Sequence, residues 1–514
     1  LSDVQLVLHV GNNSTHIKGK MGSEVYDKFK RELGYLPENA FWMIKNNAES
    51  ANGNEKWKND WDGTISAVCY NRQFCHCHIK KSGLHFHTGL LSKAVSFFKE
   101  QNVTFRRVDV RVKSNKNDLY SISEHAENRD YQQDTINKVA GSDGMPGIDR
   151  GILKLATGAG KTFLAAGIVA KFGVSPTIMY VTSIDLLNQA KDELEKFIRY
   201  KGTNIKVGMV GGGSKDIQDI TIMTVQTAVR CLGGVWVKFD DEDTSKEEES
   251  VNSIKEDVRN LIFRSKMMIC DEVQHWASET CQIISDASVA CQYRFGLSGT
   301  PYRDQGDDIL IEGCFGRTIV DINASFLIKK GYLIKPIIYF LTINNMRGLR
   351  KSSYANVYKQ AIIENAYRNE KIVDMASRFF ASDRKILILV KQVKHGKLLE
   401  QLMPGSTFIY GGTGKKKRAA YLDNMRKGEP QITIASVIFD EGIDVRPLDT
   451  LILAGGGNSP TRALQRIGRI LRTFEGKTDA IAVDFMDTCK YLQSHSKKRL
   501  NMYKTEEEFE IIGD

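Results

Sequence analysis

The chain reads as an α/β protein, two tandem parallel-sheet domains preceded by a small α+β N-terminal domain, and three observations carry that reading. From about residue 130, short apolar runs of strand length alternate with amphipathic helical patterns: "GILKLA" (151–156), "TIMYVT" (177–182), "ITIMTV" (220–225) and "KMMICDE" (266–272), with "IDLLNQAKDELEKFI" (184–198) among the intervening helices. The alternation restarts after about residue 335 with "KPIIYFLTI", "KILILV" (385–390), "STFIYG", "ITIAS" (432–436), "TLILAG" and "DAIAVDF" (479–485). Residues 1–125 have a different texture, with short alternating stretches such as "GTISAVCYN" (63–71) and a predicted helix over 89–102. The expected domains are therefore 1–125, 126–330 and 331–514.

Between the first two, "KSNKNDLYSISEHAENRD" (113–130) reads as a polar linker. An acidic insert, "FDDEDTSKEEES" (239–250), interrupts the second domain; a solvated loop or a DNA-repelling segment both account for it.

Composition narrows the class. The 514 residues carry a formal net charge of +10, compatible with a polyanionic partner. Nine cysteines, odd in number and unframed, fit a reducing, cytoplasmic context. No apolar run is long enough to cross a membrane, and "LSDVQLVLHV" (1–10) does not have the pattern of a signal peptide.

The chemistry begins at "LATGAGKT" (155–162), placed between a strand and a helix as a phosphate-binding loop requires. Thr157, Gly158, Ala159 and Gly160 let backbone N–H groups face phosphates, and the helix N-terminus adds positive potential. Lys161 reaches the β and γ phosphates and Thr162 suits Mg²⁺. Leu155 stands where the general pattern has its first glycine. "ICDEVQHW" (269–276) ends an apolar strand with two adjacent carboxylates. Asp271 suits Mg²⁺; Glu272 suits the general base that orients the attacking water. "QRIGRILR" (465–472) spaces Arg466, Arg469 and Arg472 at three-residue intervals, which on a helix places them on one broad face. Arg469 and Arg472 suit the charge that builds on a transferring phosphoryl group.

In this order the three motifs resemble those of superfamily-two helicases, and the segments between them agree. "RDYQQD" (129–134) resembles the adenine-reading motif, with Gln132 as its glutamine. "TVQTA" (224–228) resembles a strand-contacting motif and "GLSGTP" (296–301) the coupling motif, through Ser298 and Thr300. "SVIFDEGIDV" (436–445) resembles the fifth motif, with Gly442 and Asp444 at its ATP-binding positions. The resemblance spans about 130–485 and implies two RecA-like domains that close on ATP and Mg²⁺, with Gln465 also coupling hydrolysis to movement. It implies nucleic-acid contacts from Thr182, Thr224, Gln226 and Thr227 in the first domain and Lys391 and Ser436 in the second. The box reads DEVQ, so either Gln274 or His275 can link ATP to Ser298.

Outside that core, "NDWDGTISAVCYN" (59–71), "GLL" (89–91) and "LVKQVKHGKLL" (389–399) are similar to the UvsW-type phage recombination helicases. That similarity implies branch migration, fork regression and dissociation of D-loops and R-loops on branched or forked, single- and double-stranded DNA, extending to RNA–DNA hybrids, in a bacterial host cytoplasm. The alternatives are an RNA or RNA–DNA hybrid helicase, a duplex-DNA translocase of a restriction or repair complex, and a nucleic-acid clamp without turnover. The basic helix "GKKKRAAYLDNMRKG" (414–428) and "HSKKR" (495–499) fit solvated faces or DNA-tracking ones. "CHCHIKKSGLHFH" (75–87) suggests a polar hairpin or a zinc site, and Trp57 and Trp61 core positions or base-stacking ones.

Overall fold

A computed structural model describes residues 5–35, 65–66, 68–69, 84–126, 128–142, 146–233, 248–301, 306–344, 349, 352–429, 431–436 and 445–513. The acidic stretch 239–247, Trp57, Trp61, Gly442, Asp444 and the segment Cys75 to His78 lie outside them. No described helix is long and apolar enough to cross a membrane. Contacts divide the chain into two compact units, residues 1–155 with 160–321, and residues 322–514 with 156–159.

In the first unit the N-terminal residues build a five-stranded sheet in the order Val68–Cys69, His85–His87, Ser14–Gly19, Leu6–Val10, Phe105–Asp109. Period-two alternation buries Leu6, Leu8 and Val10 on one face. Phe29 and Phe98, from helices Ser23–Glu32 and Leu91–Glu100, stack beneath it with centroids 4.8 Å apart. The same core takes in Ile309 from helix Asp308–Phe315, whose Ile311 and Phe315 lie in the core of the larger sheet of this unit. A Cβ at Gly89 would strike the carbonyl oxygens of Glu312 and Gly313. Asn12 Nδ2 donates to the carbonyls of Val112 and Ala290, each at 3.1 Å. Arg150 donates to the carbonyl of Asn12 at 2.5 Å. The N-terminal fold is thus packed into the first unit.

The polar stretch 113–130 is structured, contrary to its reading as a linker. Tyr120–Ile122 pairs antiparallel with Ile198–Tyr200, and Ser114 N donates to Gln292 Oε1 at 2.7 Å. Tyr120 and Ile122 alternate with serines, a half-buried strand pattern masked by the polar residues around it.

The main sheet of this unit has eight strands in the order Ser214–Asp216, Gly208–Gly211, Ile220–Thr224, Thr177–Val181, Met267–Asp271, Tyr293–Ser298, Arg150–Leu155, Thr318–Ile322. The five pairings from Gly208–Gly211 through Arg150–Leu155 are parallel. Helices cover the sheet, so its central strands Thr177–Val181 and Ile220–Thr224 are buried along their whole length. In a parallel sheet all carboxyl ends emerge on one edge. Here Leu155, Val181, Thr224, Asp271 and Ser298 end neighbouring strands on that edge.

The second unit repeats the design with seven strands ordered Thr407–Ile409, Gln431–Ala435, Lys385–Leu389, Thr450–Ile452, Ala480–Asp487, Pro336–Ile343, Glu510–Gly513, all parallel. Two of its buried arginines pair with buried carboxylates. Arg368 Nε donates to Asp487 at 3.1 Å, and its guanidinium lies 4.4 Å from the Phe485 ring centroid. Arg499 donates to both oxygens of Asp484 at 2.8 and 2.9 Å, and Tyr503 Oη donates to one of them at 2.7 Å.

His395, within "LVKQVKHGKLL" (389–399), is fully buried, with Nε2 2.9 Å from Asn369 Oδ1. Burial, aided by Arg368, lowers its pKa from 6.5 to about 3. The folded state therefore binds fewer protons than the unfolded chain between those values, so stability is full above pH 6.5 and declines as pH falls below it. Denaturant unfolding should show the second unit about 1 kcal/mol less stable at pH 5.5 than at pH 7, and His395→Leu should remove that difference.

Candidate nucleotide site and nucleic-acid groove

The strand Arg150–Leu155 ends with Leu155 fully buried, and the chain then curls through residues 156–160 into helix Lys161–Phe172. Where the general pattern has a glycine, this chain is still in its sheet. Gly158 and Gly160 have φ of 88° and 78°, which only glycine adopts without strain. A Cβ on Gly160 would also collide with Gln132 Nε2. Gln132 is held by the helix Asp130–Ala140, where its Oε1 accepts from Arg129 N at 3.0 Å. That helix crosses the loop's helix at Gly167, where a Cβ would run into Ile136. Gln132 is thus placed beside Gly160 by a close helix contact. The mid-helix glycine was the available sequence signal for it.

Lys161 Nζ lies 3.0 Å from Glu272 Oε1. Glu272 Oε2 accepts from Gln274 Nε2 at 2.7 Å, and Gln274 Oε1 accepts from Ser298 Oγ at 2.6 Å. Ser298 Oγ in turn accepts from Thr300 N at 3.0 Å. An unbroken relay runs from the phosphate-loop lysine through the acid box to the Ser/Thr motif. It runs through Gln274 and not through His275, whose side chain is exposed and whose backbone N–H donates to the Glu272 carbonyl at 3.1 Å. The relay works because Glu272 sits at φ 51° and ψ 56°, left-handed for a non-glycine, and so turns its carboxylate back toward Lys161.

The two carboxyls of the box diverge. Burial pushes Asp271 up to about 6, against the pull of Lys161. Burial pushes Glu272 up as well, but the charge of Lys161 and hydrogen bonds from Gln274 and Lys161 outweigh it and hold Glu272 below its usual value. Glu272 is the stable anion of the pair. A threonine hydroxyl such as that of Thr162 and a carboxylate such as that of Asp271 are oxygen donors of the kind Mg²⁺ takes, and Mg²⁺ needs few protein ligands because waters and phosphates complete its shell. The described residues contain no cluster of three or more metal-ligating His, Cys, Asp or Glu. Of the zinc candidates, His85 stacks on His16 with centroids 5.2 Å apart and His87 Nδ1 lies 3.7 Å from Asp286.

Along the carboxyl edge of the same sheet lies a groove of about 640 Å³ lined by Thr182, Thr224, Gln226 and Thr227. Gln226 Nε2 donates to the carbonyl of Thr182 at 3.0 Å. The Thr224 hydroxyl caps the helix Val225–Cys231 and lies 2.8 Å from that of Thr227. Lys215, Arg230 and Lys255 also line the groove, as does the run Gly211, Gly212 and Gly213, all at positive φ. Sequence reasoning missed these; the triple glycine was the signal.

In the second unit Gln465, Arg466 and Arg469 are half-buried on helix Pro460–Ile470. Arg472 does not continue their face, contrary to the spacing argument. The helix ends at Ile470, and Arg472 forms an isolated bridge with Leu333. Lys477 holds the turn by donating to the carbonyls of Leu448 (2.5 Å), Arg472 (3.0 Å) and Arg446 (3.2 Å). Ser436 directly follows strand Gln431–Ala435, and Lys391 lies two residues past strand Lys385–Leu389; Lys391 is exposed and Ser436 buried.

Residues 125–303 match the family profile of the type III restriction enzyme res subunit, and residues 368–474 that of the helicase conserved C-terminal domain. The chain is 26% identical over 465 residues to the DNA 3'-5' translocase XPB2 of Sulfurisphaera tokodaii, covering 81% of this chain and 96% of that one. It is 23% identical over 459 residues to the ATP-dependent DNA helicase uvsW of Enterobacteria phage T4, covering 86% and 85%. It spans 52% and 50% of the length of two haloarchaeal relatives. The fold is also that of a fragment of a putative HsdR subunit of a type I restriction enzyme from Vibrio vulnificus, at TM-score 0.52 and 17% identity over 75% of this chain and 67% of that one.

Proposed function

Because the chain belongs to the superfamily-two helicases and is an ATP-dependent DNA helicase, we propose that it remodels branched DNA by ATP-driven branch migration, fork regression and dissociation of D-loops and R-loops in phage recombination and repair. The observation that carries the reading is the relay Lys161, Glu272, Gln274, Ser298, which gives hydrolysis a mechanical outlet. The N-terminal fold, packed into the first unit, supplies a rigid body for acting on a junction as the motor moves.

We assign Gly158, Ala159, Gly160, Thr157 and Lys161 to the phosphates, Gln132 to the adenine, and Thr162 and Asp271 to Mg²⁺. Gly442 and Asp444 are proposed for the nucleotide from the fifth motif. Bound ATP with its Mg²⁺ supplies a polarised γ-phosphate as the electrophile. Glu272 orients the attacking water and takes its proton, since it is anionic and within reach of Lys161. Arg469 and Arg472 stabilise the charge that develops on the γ-phosphate. When Lys161 turns from Glu272 to a phosphate, Glu272 and Gln274 are released to reposition Ser298, Thr300 and the strand ends beside them. Thr182, Thr224, Gln226, Thr227, Lys391 and Ser436 hold the backbone of the tracked strand, a contact that positions it without reading sequence.

Gln274→Ala cuts the relay without removing the base. It should lower strand displacement about ten-fold or more while ATP turnover falls less, since one buried hydrogen-bond pair is worth about 1–3 kcal/mol. Parallel losses in both assays would assign Gln274 to hydrolysis alone.

The relatives' names suggest 3'-5' movement. The reading is tested by strand displacement on tailed duplexes of either polarity and on a four-way junction. We expect unwinding from the 3' tail and ATP-dependent conversion of the junction. Displacement of tailed duplexes without junction conversion would reduce the protein to a simple translocase.

A further inference from the structure

The second unit carries an aromatic and cationic cluster that no motif singled out. Tyr491, 39% exposed, stands just before helix Leu492–Tyr503. Its φ of 66° and ψ of −51°, with Leu492 N donating to the carbonyl of Lys490 at 2.8 Å, make it the centre of a strained γ-turn. A bulky side chain is costly there, and such strain concentrates at functional positions. The turn holds the Tyr491 ring edge-on to Tyr354, centroids 5.9 Å apart. Tyr354 is backed by His495 at 5.8 Å and Tyr358 at 6.1 Å. Tyr358 is buried and anchored by its hydroxyl to the carbonyl of Gly455 at 2.7 Å.

Cations surround these rings. Lys391 Nζ lies 5.6 and 5.4 Å from the centroids of Tyr354 and Tyr358, and Lys490 Nζ 4.6 Å from that of Tyr491. Lys391, Lys490, Lys497 and Lys498 are exposed. The nearby carboxylates Asp484 and Asp487 are buried and already held by Arg499 and Arg368. Burial, then Arg499, Lys498 and Lys391, all lower the pKa of His495, with no acid opposing them. The cluster follows strands Lys385–Leu389, Thr450–Ile452 and Ala480–Asp487, three neighbours whose carboxyl ends share one edge.

We propose that Tyr491, backed by Tyr354 and flanked by Lys391 and Lys490, is a base-stacking site for single-stranded DNA. An exposed, rigidly backed ring among lysines matches what a single strand offers, a base face on a phosphate chain. The site is sequence-independent, because every base has a π face. The inference rests on the reading of the chain as a DNA helicase.

The test is binding of the full chain to a labelled single-stranded oligodeoxynucleotide and to an abasic strand of equal length, at fixed low salt. Tyr491→Asn removes the ring with a residue more tolerant of positive φ, and Tyr491→Phe keeps the ring. Thermal melting confirms that both fold. Tyr491→Asn should bind the base-bearing strand roughly 5- to 150-fold more weakly and the abasic strand unchanged, the range one base stack is worth. Tyr491→Phe should behave as the parent, and Lys391→Ala should weaken both strands alike. Unchanged binding of the base-bearing strand by Tyr491→Asn overturns the stacking site while the helicase reading stands. A parent chain that binds neither strand and shows no DNA-stimulated ATP turnover overturns both.

Discussion

Glu272→Gln should lower ATP turnover about 10²- to 10⁴-fold, the contribution of a positioned general base, while leaving ATP and DNA bound. The change keeps the shape of the side chain and the hydrogen bond with Gln274, but it removes the anion that Lys161 stabilises. Glu272 is suited to the role because Lys161 and Gln274 hold it charged, whereas burial raises the pKa of its neighbour Asp271. Lys161, freed from its carboxylate partner, has more reason to stay on the phosphates, so nucleotide should be retained more tightly. Single-turnover hydrolysis beside equilibrium binding of a fluorescent ATP analogue separates the two effects. Unchanged turnover would take Glu272 out of the chemistry.

Arg469→Ala should cost turnover about 10³- to 10⁵-fold, as loss of a guanidinium at a transferring phosphoryl group does, again with nucleotide bound. Arg469 is half-buried on an amphipathic helix that begins at Pro460 with a Ser459 cap. Arg462, on the same helix, is exposed, and Arg462→Ala is the internal control. Equal effects of the two substitutions would mean that the helix contributes only diffuse charge. Arg472 leaves the helix before its own position, so Arg472→Ala also disturbs the bridge to Leu333 and is the less clean probe.

Legibility in the sequence tracks how local each feature is. The parallel strands and the phosphate loop are contiguous patterns, and apolar runs ending in Leu155, Asp271 and Ser298 already imply one shared edge. The choice between Gln274 and His275 is not readable in the sequence, because both lie within three residues of Glu272 and only tertiary geometry shows which one reaches Ser298. The helix break before Arg472 is set by Leu333 and Lys477, the first of them distant in sequence. The strand Tyr120–Ile122 was hidden among polar neighbours because only three residues pair. The Tyr354, Tyr491 and Lys391 cluster unites residues from three segments and has no sequence signature.

The most direct measurement is ATP turnover by the full chain at fixed low salt, without nucleic acid and with single-stranded, duplex, forked and four-way DNA and RNA, beside the Glu272→Gln variant. The account predicts strong stimulation of the parent by branched DNA, little by RNA, and none of the variant. Equal or greater stimulation by RNA, or turnover indifferent to any nucleic acid, would contradict it.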